Sequence, residues 1–381
     1  MVTNTVAIFF VLTIAVIIAL WLERRFRTFK KLGAGALSIL IGIALSNSGF
    51  LPGDAVAYDF LMSQGVSASI VLILLSVDIR SIKEAGPTML KAFLIGAVGS
   101  AIGAMTMSYI LADAIGNESY KLAGQFTGTY VGGGMNFAAL GRAFDTSSDL
   151  FSAAIAADVI ITAIWLVVCL AAPLLLNRSK ETDAAKSLAP DRSKSYTLEQ
   201  SLYRSDGSIK IDQVAVLIAI VFGVIWLSEF LGRLLPAIPE ILWLTSFVLL
   251  TAQIPYVKNI SGGAMLGNYL LLLFLACNGA KSVVANIVAI GPAVFYFAMG
   301  TIALHGIFIF GVGWLLKIDG GTLAVASQAN VGGSSSALAL ASARGYTDRI
   351  LPGIAVGLLG YAVGNYLGLL VGNLMQMILS S

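Results

Sequence analysis

Long uncharged stretches alternate with short charged ones along the whole chain. A membrane-crossing helix needs about 20 mostly apolar residues, and six such stretches precede the one long hydrophilic segment, residues 177–212, while six follow it. They begin at Met1, Leu32, Phe60, Ala92, Leu122, Leu150, Gln213, Ile241, Asn259, Ser282, Gly320 and Ile350. The pattern predicts an all-α polytopic membrane protein with an N-terminal half, residues 1–176, a linker loop, residues 177–212, and a C-terminal half, residues 213–381.

Composition agrees with this class and excludes others. Hydrophobic residues make up 58% of the 381 and charged residues 11%, whereas a typical soluble domain carries about 25% charge. So few charges cannot cover a soluble globule, which excludes a soluble enzyme, a disordered chain and a nucleic-acid binder. The first apolar stretch is expected to be a span and not a cleavable signal peptide, because its basic cluster at residues 24–31 follows the apolar core.

The two halves resemble each other. The segment Thr127–Asn136 (Thr-Gly-Thr-Tyr-Val-Gly-Gly-Gly-Met-Asn) precedes a similar segment, Ser327–Ser336 (Ser-Gln-Ala-Asn-Val-Gly-Gly-Ser-Ser-Ser), by 200 residues. At the same offset Asp78 matches Asn278, and Leu150 matches Ile350. Several co-linear matches indicate an internal duplication. The alternative is chance similarity between membrane helices rich in glycine and alanine.

The distribution of basic residues predicts the topology. Cytoplasmic loops carry an excess of Lys and Arg. If the fifth and eleventh segments are re-entrant, 19 of the 23 Lys and Arg residues lie inside and 4 outside; if both cross, the split is 13 to 10. The first arrangement gives five spans per half, so the halves insert with opposite orientation, as in many secondary transporters. Both termini are then outside, and residues 177–212 are cytoplasmic.

The glycine segments are the predicted binding site. Non-helical backbone at membrane depth is tolerated where it is buried in protein or lines a cavity, and the glycines lie in mid-segment, with the serines after the second run as N-cap candidates. Two short helices would point their positive ends at an anionic group. The alternative is that these glycines only permit tight packing. The predicted substrate-binding residues are Thr127, Thr129, Gly132, Gly133, Gly134, Asn136, Asn330, Gly332, Gly333, Ser334, Ser335 and Ser336.

Polar residues inside apolar stretches are candidates for the coupling ion. Asp158 is the acid deep within such a stretch, and we expect a Na⁺ ligand or proton carrier there; the alternative is a carboxyl group bonded to a neighbouring helix. Na⁺ is a possible coupling ion, and no other cofactor is expected. The predicted metal-site residues are Asp158, Thr127, Ser327, Asn278 and Asn365. The single histidine, His305, is expected to be structural. Asp78 lies at a span end, and two interpretations stay open for it: a functional residue or a solvated helix end.

The glycine motifs carry a resemblance. Residues 127–137, together with Asn330 to Gly333, resemble the YjcL-like bacterial membrane family, a domain-of-unknown-function group, and the likeness covers nearly the whole chain. That family looks related to glutamate–sodium, citrate–sodium and bile-acid–sodium symporters. The resemblance implies two inverted five-helix repeats, re-entrant or broken helices, elevator-like movement of one domain, and a bacterial inner (cytoplasmic) membrane location. It also implies a scaffold made of the first, second, seventh and eighth of the twelve apolar stretches, with a homodimer interface. The run Ser334–Ser336 departs from the family's glycine motif.

Function follows from these features as an expectation. A secondary transporter that moves a small organic anion, amino acid or short peptide with Na⁺ or H⁺ fits the repeats and the paired glycine segments. The alternatives are a passive channel or holin-like pore, which would favour rings of like charge, and an intramembrane enzyme, which would need a catalytic pair. Neither feature stands out, so we expect no enzyme activity. The expected partners are a small-molecule substrate and membrane lipid, and not nucleic acid.

Overall fold

The computed structural model describes residues 4–77, 83–176, 210–235, 238 and 240–380, and these residues form helices and turns without any strand. Most of the linker loop and Asp78 lie outside the described residues. Two one-turn helices, Ala112–Ile115 and Pro255–Lys258, accompany the longer ones. The longer helices are α1 Thr5–Arg25, α2 Arg27–Asn47, α3 Val56–Leu74, α4 Gly86–Ile110, α5 Ser119–Gly132, α6 Gly134–Ala143, α7 Ser148–Leu176, α8 Ile211–Leu234, α9 Glu240–Ala252, α10 Gly263–Lys281, α11 Val284–Leu315, α12 Gly320–Ala343 and α13 Thr347–Leu379.

Eight of the described helices are long and apolar enough to cross a membrane, namely α1, α3, α4, α7, α8, α10, α11 and α13. The chain is therefore a multi-pass membrane protein. The other two of the ten predicted spans are shorter apolar helices, Leu32–Asn47 within α2 and Glu240–Ala252. At about 1.5 Å per residue, the 13 residues of α9 are shorter than a hydrocarbon core of about 30 Å.

The helices form two bundles, each with contributions from both halves of the chain. We call α1, α2, α3, α8, α9 and α10 the frame bundle, and α4, α5, α6, α7, α11, α12 and α13 the core bundle. Helices within a bundle pack extensively on one another, and contacts between bundles are few. The frame bundle contains the four spans of the predicted scaffold and also the third helix of each half, α3 and α10.

Glycines explain why α10 belongs to the frame. A Cβ on Gly279 would stand 2.9 Å from Ile39 Cα in α2 and even closer to the Ile39 carbonyl oxygen, and one on Gly267 would stand 2.9 Å from the carbonyl oxygen of Ser69 in α3. Lipid provides no hydrophobic driving force between membrane helices, so small residues that allow close backbone approach favour association. Helix α10 is thereby held against α2 and α3.

The same device joins α5 to α13 in the core bundle. Gly124 packs on the carbonyl oxygen of Gly368, and Gly132 packs on that of Gly360, so the helices run antiparallel with backbones in contact. These glycines are therefore packing devices, as the alternative interpretation of the glycine segments held. That interpretation does not account for Gly133 and Gly333.

Candidate functional site

Two glycines interrupt helices in the core bundle. Gly133, between α5 and α6, has φ 79° and ψ 177°, and Gly333, inside α12, has φ 75° and ψ −169°. Both lie in a backbone region that is essentially restricted to glycine. The two interruptions share one conformation and are 200 residues apart in the chain.

The two interruptions meet at one aromatic ring. A Cβ on Gly133 would stand 3.3 Å from Tyr361 Cε1, and a Cβ on Gly333 would stand 3.1 Å from Tyr361 Cζ and even closer to the hydroxyl. The helices that begin after each interruption, at Gly134 and at Ser334, therefore start beside the same side chain of α13. Helix N-termini carry partial positive charge and unpaired N–H groups, which attract anionic groups.

The predicted serine N-cap is wrong for Ser334. The capping position before α6 is Gly133, which forms no side-chain cap, and Gly333 occupies the matching position in α12. The Ser334 hydroxyl is buried and forms no hydrogen bond with the described residues. The interruption requires a conformation that only glycine adopts readily, so the serines follow the cap and do not form it.

The predicted substrate residues fall into different environments. Asn136 donates to the carbonyl oxygen of Gly360 at 3.2 Å, so its amide ties α6 to α13. The buried Thr127 hydroxyl and the whole Asn330 amide form no hydrogen bond with the described residues. Thr129 is buried in α5, and Gly134 is exposed. Ser336 lies beside Gly332, and the Ser335 side chain lies outside the description.

The predicted metal-site residues are dispersed. Asn278 lies 3.5 Å from Ser152 near one end of α10, while Ser327 bonds to the single histidine. Asp158 is partly buried and accepts a long bond of 3.4 Å from Thr162. Among the described residues, no three His, Cys, Asp or Glu side chains cluster in a way that suits a metal ion.

Three of the predicted ligands keep oxygen atoms suited to a cation. Thr127 on α5 and Asn365 on α13 each have an oxygen without a hydrogen bond among the described residues, and the Asn365 amide nitrogen donates to Thr245 of α9 at 3.0 Å. The Asp158 carboxylate faces the hydroxyl of Tyr130, one turn beyond Thr127. These are oxygen donors of the type that hard cations prefer.

His305 links five helices of the core bundle. Its Nδ1 lies 2.9 Å from both Gly96 O and Ser100 Oγ, and its Nε2 lies 2.9 Å from Ser327 Oγ. We assign the proton to Nδ1, because Gly96 O only accepts; Ser327 then donates to Nε2. Trp165 donates to Ser327 at 2.9 Å, and Ser100 donates to Tyr130 O at 2.8 Å. The structural role expected for His305 agrees with these bonds.

Polar contacts join the two bundles at the helix ends. Arg142, at the end of α6, forms an ion pair of 3.3 Å with Glu240, at the start of α9, and bonds to Ser67 of α3. Because Arg142 belongs to the core bundle and Glu240 to the frame bundle, their ion pair must break if the bundles slide past each other. The pair of Lys121 with Glu118, at 2.6 Å, lies within the core bundle and need not break.

A second contact clamps the short link between α10 and α11. Asp149 of α7 accepts from the backbone nitrogen of Val283 at 2.5 Å. Asn47 of α2 donates to Ser282 O at 3.0 Å. Ser152 and Ser282 bond through their hydroxyls at 2.7 Å. The residues that connect the frame to the core are thus held from both sides.

Sequence reasoning did not identify Gln328, Tyr361 or the Arg142–Glu240 pair. Gln328 is a buried amide within the second glycine segment, so its polarity in an apolar stretch was a signal. Tyr361 carried none, because its contact with two distant glycines arises only from folding.

Comparison with known proteins places the chain in a family. It is 27% identical over 372 residues to the "Uncharacterized membrane protein YjcL" of Bacillus subtilis (strain 168), covering 93% of each chain. Residues 8–378 match the family described as "Protein of unknown function (DUF819)". The resemblance inferred from the glycine motifs is therefore confirmed, and the chain belongs to the DUF819 family.

Proposed function

We propose that this protein is a secondary active transporter that moves a small organic anion, amino acid or short peptide with Na⁺ or H⁺. The observation that carries the proposal is the meeting of two glycine interruptions at Tyr361, inside a bundle that has few contacts with the frame. In many secondary transporters, substrate and ion sites lie between interrupted helices near the bilayer midplane. The site would then be carried by the core bundle.

Elevator-like movement is the mechanism that the two bundles favour. The core bundle holds both interruptions, and its internal glycine contacts suit a body that moves as a unit. The frame would stay fixed relative to the membrane while the core moves. Its exposed aromatic stripe of Phe222, Trp226 and Phe230 on α8 is suited to contact with lipid or with a second copy of the chain. A homodimer and a bacterial inner-membrane location remain parts of this proposal.

Opposite orientation of the two halves is part of this proposal and would allow alternating access. Each half contributes three helices to the frame and one interrupted helical segment to the core, in the same chain order. With five spans per half, the α5–α6 segment would enter from outside and α12 from the cytoplasm. Their N-terminal helix ends would then reach the same depth from opposite leaflets.

A cleavable crosslink tests movement of the core against the frame. Arg142→Cys with Glu240→Cys, joined by a bifunctional methanethiosulfonate, should reduce gradient-driven uptake in proteoliposomes to background, and reductant should restore it. The background carries Cys169→Ala and Cys277→Ala, because these are the cysteines of the chain. The matched control is Glu118→Cys with Lys121→Cys, a salt bridge within the core bundle, which should leave uptake unchanged.

The same assay distinguishes a transporter from a pore. Uptake of labelled amino acids and monocarboxylates is measured with a Na⁺ gradient, with a proton gradient and without either. A transporter accumulates solute against its concentration only when a driving gradient is present. Uptake that merely equilibrates, and that the Arg142–Glu240 crosslink does not change, would refute the proposal and favour a passive channel.

A further inference from the structure

Gln328 is a buried amide without a hydrogen-bond partner among the described residues. Its side chain is fully buried in α12, and neither Nε2 nor Oε1 forms a hydrogen bond with the described residues. A side-chain amide offers two donor hydrogens and an accepting oxygen. Burial of such groups without partners costs free energy, and most buried polar atoms in native proteins are therefore bonded.

Gln125 shows what a structural glutamine looks like in this bundle. It is also fully buried, on α5, but it donates to Phe137 O at 3.3 Å and accepts from Thr146 at 2.9 Å. Both ends of the Gln125 amide are thus used within the protein. The contrast makes Gln328 a group prepared for a partner that is not part of the chain.

The Gln328 amide lies at the glycine interruption. A Cβ on Gly332 would stand 2.8 Å from Gln328 Nε2 and 2.5 Å from Ser336 Cβ. The amide is therefore next to the point where Gly333 ends one helical segment and Ser334 begins the next. The buried hydroxyl of Ser334, also without a partner among the described residues, adds a second polar group at this helix start.

The charges around the core bundle limit what can bind there. Among its described basic residues, Lys83, Lys91 and Lys317 are exposed. Others are engaged near helix ends: Lys121 pairs with Glu118, Arg142 with Glu240 and Arg349 with Asp319, while Arg344 donates to Leu170 O. These side chains lie near helix ends; Arg344 follows the last residue of α12, about 15 Å along the helix from Gly333. Beside the interruptions, the helix N-termini can therefore offset about one negative charge. Asp158, facing Tyr130, offers the complementary negative group.

We infer that Gln328 contacts the transported solute and that this solute is a zwitterionic amino acid rather than a di- or tricarboxylate. The carboxylate would lie at the two helix N-termini, and the Gln328 amide would bond to the polar groups beside it. Asp158 would attract the ammonium group. This inference rests on the proposed transport function and narrows its substrate class.

Two matched substitutions test the inference in the purified full chain. Gln328→Met removes a buried polar group that lacks a partner, so the melting temperature without ligand should stay the same or rise. Gln125→Met removes the bond to Phe137 O and leaves the Thr146 hydroxyl without its acceptor, so it should lower the melting temperature. Glycine, alanine, serine and glutamine are the amino-acid probes, with malate and citrate as multiply charged anions. Ligand binding to the folded state raises the melting temperature.

The two variants should differ in opposite ways: Gln328→Met should keep its stability and lose ligand binding, whereas Gln125→Met should lose stability and keep ligand binding. At least one amino acid should stabilise the unmodified protein and the Gln125→Met variant, and Gln328→Met should weaken that binding roughly tenfold or more. The inference is overturned if malate or citrate stabilises the protein and the amino acids do not. It is also overturned if no amino acid stabilises it, or if Gln328→Met is as destabilising as Gln125→Met and leaves ligand binding unchanged.

Uptake in proteoliposomes distinguishes failure of this inference from failure of the proposed function. Gradient-driven accumulation of malate or citrate, with no response to amino acids, would retain the transporter and overturn the amino-acid inference. Binding of an amino acid that requires Gln328, without gradient-driven uptake of that amino acid, would retain the site and overturn the transporter.

Discussion

Alanine at Gly333 adds one carbon where the second interruption meets Tyr361. The new Cβ would overlap the tyrosine hydroxyl and stand 3.1 Å from Cζ. At Gly133 the same change brings a Cβ to 3.3 Å from Cε1 of that ring, which a small shift relieves. Gly134→Ala is the control, because its Cβ would have no neighbour within 4 Å.

The expected cost has two components. A non-glycine residue in this backbone region costs about 1–3 kcal/mol, which applies at both Gly133 and Gly333. The overlap with Tyr361 adds about 1–3 kcal/mol at Gly333, as in other overpacked interiors. Gly134→Ala should be neutral or stabilise the protein by up to about 1 kcal/mol, because alanine suits a helix better than glycine.

A double-mutant cycle isolates the overlap. Tyr361→Phe removes the overlapping oxygen, so it should recover part of the loss in Gly333→Ala and none of the loss in Gly133→Ala. A coupling energy of about 0.5–3 kcal/mol is typical of residues in contact. The assay is reversible denaturation of the purified variants, with the free energy of unfolding as the readout. If Gly333→Ala and Gly134→Ala are equally stable, or if Tyr361→Phe rescues neither variant, the reasoning about the interruptions is wrong.

Two further predictions concern charge. Asp158→Asn keeps size and hydrogen bonding but removes the charge that would attract both the coupling cation and the ammonium group. Uptake should therefore lose much of its dependence on Na⁺ concentration or pH, and binding of the amino acid should weaken, while the melting temperature changes little; a change in stability alone would make Asp158 a structural residue. Burial raises the pKa of Glu118, but its bonds with Lys121 and Ser147 outweigh burial and hold that pKa below 4.5. Its stabilising contribution is therefore full above pH 4.5 and is lost as the pH falls through the folded-state pKa; Glu118→Gln should weaken this acid dependence of the melting temperature, and an unchanged dependence would count against it.

The sequence predicted much of the helical fold because membrane spans are read from apolar length, which is a local property. It also located the interruptions, since two or three consecutive glycines within an apolar stretch are unfavourable for a helix. It did not determine which glycine adopts the unusual conformation, because that depends on Gly132 packing against Gly360 while Gly133 faces Tyr361. Such contacts join residues far apart in the chain.

The same limit applies to individual side chains. Ser327 and Asn278 are predicted ion ligands because they are polar residues in apolar stretches; in the folded chain Ser327 bonds to His305, and Asn278 lies 3.5 Å from Ser152. Gln328 escaped notice because its counterpart at an offset of 200 is Gly128, so comparison of the halves hid it. Whether a buried polar group is satisfied depends on tertiary contacts, which local pattern does not specify.

The clamped link between α10 and α11 has a consequence for the proposed movement of the core, which would be smallest beside it. Only residues 282 and 283 separate these helices, whereas residues 75–85 separate α3 from α4. Asn47 in the frame and Asp149 in the core both hold the short link, so this link would be the pivot of the proposed movement. Displacement of the core would then grow with distance from residue 282 and be greatest on the opposite side of the bundle. Pairs of spectroscopic labels, one on the core and one on the frame, would keep a nearly constant distance through a transport cycle if they lie beside residue 282. Pairs far from residue 282 would show the largest change in distance.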